Sequence, residues 1–251
     1  MYRFGGYIMI YKVILAYDGS NYAGWQKQEN ALGIQEVIEK ALTTIHKKET
    51  FITASGRTDA KVHALGQVFH FEADKKIGPD RYKMALNALL PEDIRILKVS
   101  MEADDFHARF SAKSKRYDYI CTYEKENPFV YKYKEILNHT LNIEAMRKAS
   151  EYLVGTHDFT SFSSSKIDPR KPRIKTITRI DIFEENQDIR FIYEGTGFLR
   201  YQVRMMTETL IMVGSNKIDT EEVKRILDKK DKSACRYNAS PNGLYLVHVN
   251  Y

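Results

Sequence analysis

Thr50-Phe51-Ile52-Thr53-Ala54-Ser55-Gly56-Arg57-Thr58-Asp59-Ala60-Lys61-Val62-His63-Ala64-Leu65-Gly66-Gln67-Val68-Phe69-His70-Phe71 is the stretch on which the reading of this chain turns. Residues 50–54 read as a short strand and residues 66–71 alternate like another, so residues 56–60 form a tight, glycine-led loop between two strands. Loops held by a rigid scaffold are where chemistry concentrates. This one sets an arginine, Arg57, two positions from a carboxylate, Asp59, which makes Asp59 the candidate catalytic group. The competing reading is that Thr58 and Asp59 close the turn with Asx-type hydrogen bonds, a common use of aspartate.

Outward from that loop the chain repeats one grammar twice. Residues 10–17 read as a strand, and a helix opens near Gly33 with Ile34, Val37, Ile38, Ala41, Leu42 and Ile45 on one face. After the two motif strands, a second helix runs from Pro79, a residue suited to the first turn, to Leu90, where Pro91 stops it. Residues 94–99 give a strand that closes the first half. The second half opens with residues 107–110 and 116–122, followed by a helix over 143–154 ended by Gly155 and strands over 175–183 and 189–194. Helices over 199–213 and 220–229 follow, the latter capped by Asp219 or Thr220 with Glu222 in its first turn, and residues 244–250 form a final strand. Strands paired with helices twice over, without regular βαβ alternation or a glycine-rich dinucleotide loop, predict an α+β fold with largely antiparallel sheets. The boundary is expected within residues 102–106, dividing the chain into an N-terminal half, 9–104, and a C-terminal half, 105–251.

Composition narrows the function classes without choosing one. The 251 residues, 43% hydrophobic and 29% charged, suit one large soluble domain or two small ones. No apolar run approaches membrane-spanning length and residues 1–10 lack a cleavable signal pattern, so the expected location is the cytoplasm. Residues 1–8 are expected to be either an upstream-start artefact or a disordered extension, without function. Two cysteines, Cys121 and Cys235, are too few for a disulfide framework, and the histidines show no ligand spacing, so neither a metal nor a cofactor is expected. The net charge of +6 suits a polyanionic partner. Six basic residues, Lys166, Arg170, Lys171, Arg173, Lys175 and Arg179, face one acid, Asp168, in a stretch broken by Pro169 and Pro172. That stretch is either a phosphate-contacting loop or a solvated charged surface.

Residues 56–68 resemble the active-site signature of the tRNA pseudouridine synthase A family. Further blocks agree in family order: Ala16-Tyr17-Asp18-Gly19 with Gly24-Trp25-Gln26, Lys115-Arg116-Tyr117-Asp118-Tyr119, Asp158-Phe159-Thr160-Ser161-Phe162, Gly197-Phe198-Leu199 with Val203-Arg204, and Gly243-Leu244-Tyr245-Leu246. The resemblance implies the pseudouridine synthase fold, two pseudo-symmetric α+β halves with an active-site cleft between them. It implies tRNA as partner, with uridines at tRNA positions 38 to 40 of the anticodon stem-loop as targets, and a homodimer. It assigns Asp59 as nucleophile, adding either to C6 of the base or to C1′ of the ribose, and Arg204 as the cation that keeps that carboxylate ionised. Tyr117 would lie against the uracil, Arg57 would fill the space vacated by an extruded base, and Leu244 would be either an apolar wall for the base or core. Taken alone, Arg204 reads as an ordinary surface salt-bridge residue, and the competing reading of Tyr117 is a half-buried strand tyrosine.

The chain departs from the family pattern at Lys61, where a glycine usually follows the Asp-Ala pair, at Gln202 in place of methionine, at Glu208 in place of glycine, and loosely over residues 238–242. If the glycine at position 61 uses a positive φ, a lysine there costs about 1 kcal/mol. Either the loop relaxes, or Lys61 compensates by contacting a phosphate. A catalytically weak RNA-binding paralogue that helps tRNA fold is the alternative function, and an aspartate-based nucleoside hydrolase is a third.

Overall fold

The computed structural model describes residues 8–165 and 172–251, which fall into two compact units. One holds the described residues up to Lys113 together with Leu246–Tyr251, and the other is Ser114–Tyr245. The chain therefore passes from one unit to the other at residues 113–114, and its last six residues return to the first.

In the first unit, β1 (Met9–Tyr17) is flanked by β4 (Ile94–Glu102) and β3 (His63–Ala73), both antiparallel to it. The short β2 (Thr53–Ala54) pairs with β3, and β10 (Leu244–Asn250) runs beside β3. Gly66 makes that neighbour possible, because a Cβ there would stand 2.4 Å from the Val247 carbonyl oxygen. Alternation along β1 sends Tyr11, Val13, Leu15 and Tyr17 inward, under α1 (Ile34–His46) and α2 (Pro79–Leu89). Tyr11 stacks on Phe71 at 5.3 Å, and Tyr82 from α2 meets both rings edge-on. The start of α1 is satisfied by the main chain: Ile34 N–H donates to Gly24 O at 3.1 Å and Gln35 N–H to Trp25 O at 2.9 Å. Ile34, Ile38, Ala41 and Leu42 are buried as expected, while Val37 and Ile45 stay half-exposed at the edge of the apolar face.

Residues 107–110, read from the sequence as the opening of the second half, form a turn in the first unit. Ser111 N–H donates to His107 O at 2.9 Å, and the N–H groups of Arg109 and Phe110 both donate to His107 Nδ1 at 3.2 Å. A side chain that accepts its own following amides competes directly with a strand ladder.

In the second unit, β5 (Ser114–Thr122), β9 (Asp188–Gly195), β8 (Ile174–Glu185) and β7 (Gly155–Asp158) form an antiparallel run, with β6 (Glu135–Ile136) parallel to β5. The unit's helices are α3 (Ile143–Ser150), α4 (Gln202–Gly214) and α5 (Thr220–Lys229), with α3 packed against β8 and against both other helices. Helix α4 starts three residues later than the periodicity predicts, because Tyr201 takes a left-handed conformation with φ 68°. Asp219, not Thr220, caps α5 by accepting Glu222 N–H at 2.8 Å. Helix α3 gives way at Ser150 to a 3-10 turn over Glu151–Leu153, and Gly155 reverses the chain with φ +116°. The sheet's charges pair internally: Arg116 and Arg190 both hold the nearly buried Asp118 carboxylate.

Candidate active site

The loop carrying Asp59 is gripped from both sides by main-chain contacts within the first unit. Ser55 N–H donates to Val68 O at 2.7 Å and its hydroxyl to Gln67 Oε1 at 2.8 Å, while Gln67 Nε2 reaches Gly56 O at 3.1 Å. From the other side comes the turn that follows β1. Tyr17 OH bonds Thr58 Oγ1 at 2.8 Å, Trp25 N–H donates to Thr58 O at 3.1 Å, and Lys61 N–H donates to Tyr22 O at 3.2 Å. Gly19 N–H donates to His63 Nδ1 at 3.1 Å. The two backbones lie so close that a Cβ on Gly19 would stand 2.1 Å from Val62 O, and one on Gly24, whose φ is +96°, 2.7 Å from Thr58 O. Glycine is required at both positions to let the segments touch.

Thr58 is buried by these bonds, and Asp59 is left half-buried beside exposed Arg57, Ala60 and Lys61. The loop turns back through a Val62 N–H to Asp59 O bond of 3.2 Å. Lys61 has φ 64°. The loop therefore keeps the conformation that favours glycine, and the lysine carries the strain of about 1 kcal/mol. Arg57, Asp59 and Lys61 are thus presented together on one loop.

The second unit presents Tyr117, Arg204 and Leu244 on three elements. Tyr117 lies on β5 opposite Tyr193 of β9, is 8% exposed, and meets the Phe198 ring edge-on at 5.1 Å. Arg204 sits in the first turn of α4, with its Nε donating to Ala239 O at 2.7 Å while Ala239 N–H donates back to Arg204 O at 3.2 Å. Its guanidinium lies 5.1 Å from the Tyr201 ring, and Arg200 lies 4.9 Å from the same ring. A cation in the first turn of a helix opposes the macrodipole, and no acid shares that turn. The positive charge gathered there suits a carboxylate or a phosphate. Leu244 opens β10 and is 5% exposed.

Gln202 is fully buried and accepts Leu199 N–H at 2.8 Å, which fastens the 197–201 loop to α4. Burial pushes the Glu208 carboxyl up, with the Glu135 charge adding to the effect. Of the basic stretch, Lys166, Arg170 and Lys171, with Asp168 and Pro169, lie outside the described residues. Arg179 pairs with Asp181, and Arg173 donates to Ser163 Oγ at 3.2 Å. Among the described residues no group of three His, Cys, Asp or Glu side chains could hold a metal ion, and no helix is long and apolar enough to cross a membrane. Both thiols are buried, and that burial pushes their pKa up, keeping them protonated. Sequence reasoning missed Tyr17, Gly19 and Gly24 as the cradle of the loop. They stood in recognisable blocks, but only the close approach gives the reason for them.

A family model described as tRNA pseudouridine synthase matches residues 13–111 and 149–251. The tRNA pseudouridine synthase A of an Exiguobacterium species is 45% identical over 240 residues, 96% of this chain and 97% of that one. That of Oceanobacillus iheyensis is 42% identical over 243 residues, 96% of each. A crystal structure of a Cbf5-Nop10-Gar1 complex shows a distant likeness, with a TM-score of 0.35 and 11% identity over 94% of this chain and 57% of that one.

Proposed function

The chain belongs to the tRNA pseudouridine synthase family, and on that premise we propose that it isomerises uridine to pseudouridine in tRNA with Asp59 as nucleophile. The reaction breaks the N1–C1′ bond, joins C5 to C1′, releases the C5 hydrogen and protonates N1, without redox change or net hydrolysis. An ionised carboxylate held in a water-poor site serves it, whether by addition to C6 or by attack at C1′. The observation that carries this reading is the loop itself: Gly19 and Gly24 bring two backbones into contact, and the rigid turn that results holds Asp59 between exposed Arg57 and Lys61.

The remaining roles follow the resemblance. Arg204 keeps the carboxylate ionised, Tyr117 stacks on the uracil and takes part in proton transfer at C5, Leu244 walls the base, Arg57 occupies the space of the extruded nucleotide, and Lys61 contacts a phosphate. The target uridines are those at tRNA positions 38 to 40, and the working species is a cytoplasmic homodimer, which light scattering on the purified protein tests. Tritium release from tRNA carrying 5-tritiated uridine tests the activity, since only pseudouridine formation exchanges that hydrogen. Binding of tRNA without tritium release would instead favour the folding-helper reading.

A further inference from the structure

We propose that Tyr119, on β5 of the second unit, is the positioning residue for Arg204, acting through the segment that ends in Leu244. The inference rests on the reading of Arg204 as part of the catalytic machinery. Tyr119 is fully buried, and its hydroxyl donates to Ser240 O at 2.8 Å, with Glu135 Oε2 3.1 Å away. The next carbonyl back along the chain, that of Ala239, receives Arg204 Nε at 2.7 Å. The same segment is pressed onto β5 further on. Ile120 N–H donates to Gly243 O at 2.9 Å, and a Cβ on Gly243 would stand 2.5 Å from Ile120 O and 2.9 Å from the Tyr119 ring. Residues 239–244 are thus fastened to β5 at two points, the Tyr119 hydroxyl and the Gly243 backbone.

The consequence for Arg204 is geometric. A guanidinium is a planar fork, so a bond at Nε fixes the plane and with it the direction of both Nη groups. The Ala239 carbonyl therefore helps to set that plane, and the position of the Ala239 carbonyl depends in turn on the peptide beside it. Burial keeps the Tyr119 phenol pKa well above its ordinary value, with the Glu135 charge adding to the effect, so the hydroxyl retains the one proton it donates. Removing that hydroxyl takes away one of the two points that fasten the segment to β5, the one nearest the Ala239 carbonyl.

The experiment measures kcat and KM by tritium release for Tyr119→Phe, Arg204→Lys and the double variant. Tyr123→Phe serves as the control, because Tyr123 is a half-buried tyrosine of the same unit whose hydroxyl accepts Leu141 N–H at 3.1 Å, away from Arg204. A misplacement of this kind lowers kcat for Tyr119→Phe by about tenfold or more, with KM for tRNA within about twofold, while Tyr123→Phe keeps kcat within about twofold. Lysine has no Nε fork to orient, so Tyr119→Phe adds no further loss in the Arg204→Lys background. An unchanged kcat for Tyr119→Phe, an equal loss in Tyr123→Phe, or multiplicative losses in the double variant would each overturn the proposal. Arg204→Lys with full kcat would instead remove the reading of Arg204 on which the proposal stands.

Discussion

Asp59 and Lys61 share a turn and make separable contributions. Asp59→Asn keeps the shape of the side chain and removes its charge. Tritium release should fall below detection while tRNA affinity stays within a few-fold; turnover above contaminating wild-type enzyme would end the nucleophile assignment. Lys61 holds φ 64°, so Lys61→Gly removes strain in the folded loop but also adds freedom to the unfolded chain. The two effects oppose, and the unfolding midpoint should move little. If the ammonium reaches a phosphate, log affinity for tRNA should lose about one unit or less of salt slope, with turnover at saturating tRNA unchanged. An unchanged slope would leave Lys61 as a lysine that tolerates its position. Tyr117→Phe should be milder than Tyr117→Ala, because it keeps the ring against Phe198 and loses only the hydroxyl. Equal losses would put the hydroxyl, not the ring, in charge.

At the scale of elements, the loop that carries Asp59 depends on the turn after β1. Gly24→Ala forces a Cβ to within 2.7 Å of Thr58 O at a φ of +96°. The cost should be about 2 kcal/mol or more, and part of it should appear as displacement of the loop. Activity should therefore fall further than stability alone accounts for. Gly78→Ala makes the comparison clean, since a Cβ there meets nothing within 4 Å. If Gly24→Ala keeps wild-type kcat at a temperature where it is fully folded, the cradle has no role in placing Asp59.

For the molecule as a whole, acid should weaken the fold through two histidines of the first unit. His46 bridges Thr50 Oγ1 at 2.8 Å and Tyr82 OH at 2.9 Å inside the aromatic core, and burial, with Lys48 adding, lowers its pKa below the ordinary 6.5. His70 accepts Ala108 N–H at 3.1 Å, and burial, with His107 adding, lowers it likewise. A lowered folded pKa means that the unfolded chain binds more protons below about pH 6.5, so stability is complete above that value and declines as the pH falls through it. The urea midpoint should drop between pH 7.5 and 5.5, and His46→Gln, which can still bond both partners, should flatten that drop. A profile equally steep in His46→Gln would mean that other groups set the acid limit.

The sequence by itself determined the α+β class, the positions of nearly all the longer strands and helices, the loop that presents Asp59, and the family. Each of these is written in local periodicity, in caps and breakers, or in residues adjacent along the chain. The tertiary structure decided the rest. Residues 107–110 became a turn because His107 accepts its own following amides, and β6 and β7 were too short to show a period. The last residues joined the first unit because β10 lies beside β3. Gly19 and Gly24 are explained by the carbonyls of Val62 and Thr58, distant in sequence yet so close in space that neither position has room for a Cβ. The Tyr119–Ser240 bond spans 121 residues. Such contacts leave no local signature, because what fixes them is the close approach of two backbones, which exists only once the chain is folded.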